Sequence, residues 1–223
     1  MSIGVLVPTR GDRERFLANA LNQLSEQTLQ PDFVEVVDDK PLSDKPDVTW
    51  RYRIGLERLR EKGCEAVICI EDDDWYHYAY IDRIMTAYQA AGCPDIFGIP
   101  NTIYYHLGYR KYTDLQHPGR SSMMSMVINP FAPLIFPDDN YSYLDYHLYT
   151  KNQHIRKATH KFPTPMCIGI KHGIGMVGGG AHKKDKVYKI ADPDYEYLKK
   201  TIDKDSYLFY MEVAKDAIRS NNG

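Results

Sequence analysis

Ala66-Val67-Ile68-Cys69-Ile70-Glu71-Asp72-Asp73-Asp74-Trp75 joins a short, continuous apolar run to four consecutive acids. The run from Ala66 to Ile70 has the length and texture of a buried strand. Four adjacent carboxylates repel one another unless a cation or donor groups compensate. Ligands of open α/β sheets sit at the carboxyl ends of strands, so this placement points to a hard divalent ion shared by carboxylate and phosphate oxygens. The competing reading is a solvated acidic turn in which one acid caps the following helix.

Upstream, Ile3 to Val7 is a second apolar run, closed by Pro8. Asp12 is the expected N-cap of a helix carrying Phe16, Leu17, Ala20, Leu21 and Leu24 on one face. Phe33 to Val37 is a strand ended by Asp38-Asp39, and Lys40 to Asp47 is a loop. Thr49 is expected to cap a helix running to about Lys62, with Gly63 as its stop. Strand, helix, strand, helix, strand implies a parallel sheet with right-handed crossovers.

Downstream, the pattern predicts a helix over Tyr78 to Ala91 and a strand over Asp95 to Ile99. Shorter strands follow at Thr102 to Tyr105, Tyr109 to Tyr112 and Met123 to Ile128. A helix over Tyr141 to Lys151, a strand over Met166 to Ile170 and a C-terminal helix over Asp203 to Ser220 complete the series. That last helix is expected to set Leu208, Met211, Ala214 and Ile218 on one side. The fold class is α/β: one domain over residues 1–223, with a mostly parallel central sheet flanked by helices and a mixed α+β second half.

The composition agrees. The 223 residues are 43% hydrophobic and 26% charged, ordinary globular usage that excludes collagen-like, disordered and disulfide-scaffold classes. No apolar run approaches the ~18 residues of a membrane span, and the opening shows no basic leader, so no secretory signal is expected. Cys64, Cys69, Cys93 and Cys167 form no C-x-x-C, which predicts free thiols and a cytoplasmic setting, or a host cytoplasm for a viral protein. The net charge of -2 is segregated. Residues 1–150 hold 14 Lys and Arg against 22 Asp and Glu, whereas residues 151–189 hold 9 against 1. An acidic body followed by a basic segment favours an anionic ligand bridged by a cation; a solvated basic surface loop is the alternative.

Several of these segments, in this order, resemble nucleotide-sugar-dependent glycosyltransferases of GT-A fold, family 2. The resembling pieces are Val5-Leu6-Val7-Pro8-Thr9-Arg10, Phe16-Leu17, Leu24-Ser25-Glu26-Gln27-Thr28, Val36-Val37-Asp38-Asp39 and Glu71-Asp72-Asp73-Asp74. The last resembles the D-x-D motif. The loop after Asp39 lacks the family's Gly-Ser-Thr-Asp continuation.

The resemblance implies a metal-dependent, inverting transfer from a nucleoside-diphosphate sugar to an acceptor hydroxyl. It implies a half that binds the nucleotide sugar over residues 1–100 and an acceptor half over 101–223. Mn²⁺ or Mg²⁺ would be held by Asp73, with Asp74 as the other candidate, and Asp72 would lie on the ribose or the metal. Pro8, Thr9 and Arg10 would lie near the nucleotide and Asp38 or Asp39 near its base. Tyr143-Leu144-Asp145-Tyr146-His147-Leu148 resembles the family's E-D-x-x-L segment with its first acid lost, which makes Asp145 the expected general base and Asp138 and Asp139 the alternatives. His172 is expected as a further metal ligand, ahead of His182.

Gly173, Gly175 and Gly178 satisfy G-x-G-x-x-G, but the Gly-, His- and Lys-rich residues that follow do not open a helix. A loop closing over a diphosphate, with Lys183 or Lys184 at the phosphates, suits the segment better. Eighteen tyrosines suit stacking on either a glycan or a nucleic-acid acceptor, such as a hydroxylated base in viral DNA. The other functions considered are a non-catalytic nucleotide-sugar-binding module and, from the glycines alone, a nicotinamide-dependent oxidoreductase. Oligomeric state is not encoded in any of these features.

Overall fold

A computed structural model describes residues 1–40, 44–173 and 187–221. In chain order its elements are β1 (Ile3–Pro8), α1 (Glu14–Ser25), β2 (Phe33–Val37), α2 (Val48–Glu61), β3 (Ala66–Cys69) and β4 (Trp75–Tyr76). There follow α3 (Tyr80–Ala90), β5 (Ile96–Gly98), β6 (Asn101–His106), β7 (Lys111–Gln116), a 3₁₀ turn (Met123–Ser125) and β8 (Met126–Ile128). The remainder is α4 (Leu144–Lys151), β9 (Lys157–Thr159), β10 (Cys167–Lys171), β11 (Ile190–Ala191), α5 (Glu196–Thr201) and α6 (Lys204–Asn221).

The strands form two sheets, ordered β2-β1-β3-β8-β5-β9 and β11-β7-β6-β10-β4. β1 pairs in parallel with β2 and β3, as the crossover pattern requires. β8 runs antiparallel to both β3 and β5, and β9 is parallel to β5, so the central sheet is mixed.

Burial on both faces explains the continuous apolar strands. Val5, Val7 and Ile68 point into one cluster with Leu24 of α1 and Ile81, Ile84 and Tyr88 of α3. The alternate residues Leu6, Val67 and Cys69 point into another with Tyr52, Leu56 and Leu59 of α2 and Leu144 and Leu148 of α4. The period of two along each strand divides the side chains between these two layers. A third cluster packs Trp75, Tyr105, Ile168 and Ile170 of the second sheet against Tyr210, Val213 and Ala214 of α6.

Three expected helix details differ. Arg13, not Asp12, flanks the start of α1, and no side chain caps it. Asp47 precedes α2 but spends its carboxylate on Arg10 and Arg51, while the Thr49 hydroxyl donates to the Tyr141 carbonyl. On α6, Ala214 is buried as expected, but it shares the buried face with Tyr210 and Val213 while Leu208 is 52% exposed. All four cysteines are free. Among the described residues no helix is long and apolar enough to cross a membrane.

Candidate active site

The parallel registers Pro8↔Val37 and Leu6↔Cys69 bring the carboxyl ends of β1, β2 and β3 to one edge. From β3 the chain passes through residues 70–74 into β4, which pairs antiparallel with β10 of the second sheet through Trp75↔Ile168. The acids therefore occupy the seam between the two sheets.

Each acid is held differently. Asp72, Asp73 and Asp74 are buried, whereas Glu71 is partly exposed. Arg13 donates from Nη1 to Asp73 Oδ2 at 2.6 Å and from Nη2 to Asp72 Oδ1 at 2.7 Å. His172 Nε2 lies 3.0 Å from the same Asp73 Oδ2, and its ring stacks on Phe16 with centroids 4.3 Å apart. Asp74 Oδ1 accepts the Ile170 N–H at 2.8 Å and faces Lys171 Nζ at 3.8 Å. The second oxygens of Asp72 and Asp74 are buried and make no hydrogen bond among the described residues.

These surroundings separate the acids electrostatically. Burial and then the Asp73 charge push Asp72 up to about 7, against the pull of Arg13. Burial also works to raise Asp73, but Arg13, His172 and Lys171 outweigh it and hold that carboxyl well below the usual range. Burial raises Asp74 and Glu71, with Lys171 opposing in both. Asp73 is thus the acid whose ionised form these surroundings favour most.

The donor set suits a hard or borderline divalent ion. Glu71, Asp73 and Asp74 each offer a carboxylate oxygen, and these lie within 4.8 Å of one another. His172 is not part of that group; its Nε2 meets Asp73 Oδ2 at hydrogen-bond distance, 3.0 Å, and so orients the carboxylate. Three carboxylates suit Mn²⁺ or Mg²⁺, and the orphaned Asp74 Oδ2 is an oxygen that a cation would satisfy.

A cavity of about 330 Å³ opens above the acids. Pro8, Thr9, Arg10, Asp72, Asp73 and Asp145 all line it, so six of the expected site residues converge there. Asp145 lies on the wall that also carries His117, Arg120 and Ser122, and Arg120 Nη1 donates to its Oδ2 at 2.6 Å. Asp74 and His172 are buried beside Asp73 and do not line the cavity.

Asp38 and Asp39 are not part of the lining. Asp38 is exposed, and Asp39 turns outward to a paired contact with Arg58, both bonds 2.9 Å. Asp138 and Asp139 also lie off the cavity, Asp139 being paired with Arg53. Lys183, together with Lys184 and His182, lies outside the described residues.

The cavity also holds residues that the sequence reading did not single out. Asp47 is fixed by Arg10 at 2.8 Å and Arg51 at 2.9 Å, and Arg51 also donates to the Val37 and Asp39 carbonyls. The i, i+4 spacing of Asp47 and Arg51 was a usable signal. Lys171, adjacent to His172, was another. Arg13 and Arg120 had none, because their partners lie 25 to 60 residues away.

No protein-family model matches the chain, and no curated protein is similar to it in sequence. Among solved structures, S. aureus TarS 1-349 in complex with UDP-GlcNAc aligns with TM-score 0.59 at 14% identity, covering 82% of this chain and 62% of that one. S. aureus TarS aligns with TM-score 0.56 at 15% identity over 76% of this chain and 37% of that one. TarS 1-349 in complex with UDP aligns with TM-score 0.51 at 17% identity over 76% and 60%. The chain spans between 37% and 62% of the length of these structures. The likeness establishes the fold as GT-A-like, the architecture that the opening motifs resemble.

Proposed function

We propose that this chain is a metal-dependent, inverting glycosyltransferase that moves a sugar from a nucleoside-diphosphate sugar to an acceptor hydroxyl. The observation that carries the reading is a single cavity lined by Asp72 and Asp73 at the carboxyl edge of the sheet and by Asp145 on another wall, with His172 set against Asp73. The nucleotide ligands of TarS named above support a donor of the same class.

Asp73 and His172, with Asp74 and Glu71 beside them, would hold Mn²⁺ or Mg²⁺. A bound divalent ion supplies Lewis-acid neutralisation of the departing diphosphate. Asp72 takes the ribose, Pro8, Thr9 and Arg10 border the nucleotide, and we assign the base to Asp47 in preference to Asp38 and Asp39, because Asp47 lines the cavity between two arginines. Lys171, buried and lining the cavity, adds positive charge near the phosphates, a role the sequence reading gave to Lys183.

Asp145 removes the acceptor proton. Arg120 engages Oδ2 and fixes the carboxylate plane, so Oδ1 receives the proton while the acceptor oxygen attacks the anomeric carbon opposite the diphosphate. That geometry inverts the centre. General-base assistance contributes ~10²–10⁴-fold. The acceptor we favour is a glycan, with a hydroxylated base in DNA as the alternative: Tyr143 and Tyr146 flank Asp145 at 67% and 53% exposure, flat faces for a sugar. The free cysteines support a cytoplasmic setting.

A melting-temperature panel of nucleotide sugars with and without Mn²⁺ tests the donor class, since a ligand at ~100 times its Kd stabilises by about 2.7 kcal/mol. Mn²⁺-dependent hydrolysis of the stabilising donor, abolished by Asp73→Ala and slowed by Asp145→Asn, separates an enzyme from a binding module. No stabilisation by any nucleotide sugar, with or without metal, would overturn the proposal.

A further inference from the structure

Arg13 holds two carboxylates at once. Its two terminal nitrogens reach Asp73 Oδ2 and Asp72 Oδ1 at 2.6 and 2.7 Å, and its side chain is 17% exposed against 6% for Asp73 and 1% for Asp72. Buried carboxylates are costly without a partner, and a planar fork of donors is suited to spanning two of them. The guanidinium therefore compensates Asp72 and Asp73 in the protein alone, while Lys171 faces Asp74.

The oxygen it holds is also the one facing the imidazole. Asp73 Oδ2 is shared by Arg13 Nη1 and His172 Nε2, so a divalent ion held by Asp73 would compete with the guanidinium for this carboxylate. Like charges on one carboxylate repel strongly in a buried setting. Arg13 lines the cavity, and its long side chain leaves it a second anionic partner within the same space once a diphosphate arrives.

We propose that Arg13 is a transferable counter-ion: it occupies the acids before loading, yields Asp73 to the divalent ion, and passes to the diphosphate. It is a positioning residue that couples metal binding to nucleotide binding. The inference rests on the function proposed above.

Mn²⁺ titration followed by electron paramagnetic resonance, without and with UDP, tests it in the wild type, Arg13→Gln and Arg13→Lys. Without UDP, Arg13→Gln is expected to bind Mn²⁺ about tenfold more tightly than the wild type, within the 5–150-fold range of ordinary site coupling. Arg13→Lys, which keeps the charge but cannot span both carboxylates, falls between them and serves if the glutamine variant does not fold. UDP tightens Mn²⁺ binding more in the wild type than in Arg13→Gln. Equal or weaker Mn²⁺ binding by the variants without UDP overturns this inference and leaves the proposed function standing. Absence of Mn²⁺ binding to every protein, with or without UDP, overturns both.

Discussion

His172 Nε2 and Asp73 Oδ2 stand 3.0 Å apart although 99 residues separate them in the chain. β10 delivers the histidine from the second sheet, the turn after β3 delivers the aspartate from the first, and stacking on Phe16 sets the imidazole plane. Asp73→Asn and His172→Gln are each expected to lower Mn²⁺-dependent donor hydrolysis by at least the ~10–100-fold that loss of a metal's outer-shell partners costs. Combined, they should cost clearly less than the product of the two, because both act on one ion. A double-mutant cycle on hydrolysis rates checks this; strict multiplicativity would place them at separate sites.

Arg120 and Asp145 make a second pair lining the same cavity as the acids. Asp145→Asn should reduce transfer by ~10²–10⁴-fold while donor affinity holds, the pattern of a base used only in the chemical step. Arg120→Gln, which loses the charge but keeps an amide donor, should lower kcat less and leave the donor KM unchanged. Steady-state kinetics with a competent acceptor separates the effects, and a rise in donor KM alone would remove Asp145 from the base role.

Burial, with the Arg120 charge adding to it, holds the His117 imidazole below its ordinary 6.5. Between the folded and unfolded values the unfolded chain carries the extra proton. Stability therefore falls as pH drops through 6.5 and levels off below the folded value. From about pH 7.5 to about pH 5.5 the wild type should lose more stability than His117→Gln, measured by urea midpoints. Parallel losses would show that His117 does not titrate differently on folding.

Gly98 of β5 has no room for a methyl group. A Cβ there would meet Ser121 Cβ at 2.5 Å and the Ser125 carbonyl at 2.8 Å, and the backbone atom cannot swing away. Gly98→Ala should destabilise by about 1–3 kcal/mol, or roughly 2–4 °C in Tm per kcal/mol for a domain of this size. The displaced segment leads into Ser122 and Met123 of the cavity wall, so donor binding should weaken in the same variant. Calorimetry and titration on one preparation test both.

The parts legible in the sequence were those written in local pattern. β1 and β3 announce themselves because both faces are buried, and the acids do so because no ordinary strand ends in four carboxylates. Other elements are defined by their partners. β4 is two residues long and exists through its pairing with β10, β11 is exposed, and β9 is a three-residue edge strand with no alternation to read. The site divides in the same way. Asp73 and Asp145 sit in recognisable segments, but whether Asp39 or Asp47 faces the cavity depends on Arg58 and Arg51, side chains that approach from α2. The i, i+4 spacing of Asp47 and Arg51 hints at their pairing, but which acid Arg58 takes, and so which acid faces the cavity, is decided by packing.

The position of the acids at the seam also bears on assembly. Their support comes from α1 and β3 before residue 100 and from β10 and α6 after it, with Tyr210 donating to the Asp73 carbonyl at 3.3 Å. Split at that point, neither fragment carries a finished cradle, however well its own strands pair. On the proposed function, mixing separately prepared pieces should restore Mn²⁺ binding only as they associate, so chelation would report docking between the two halves of the molecule.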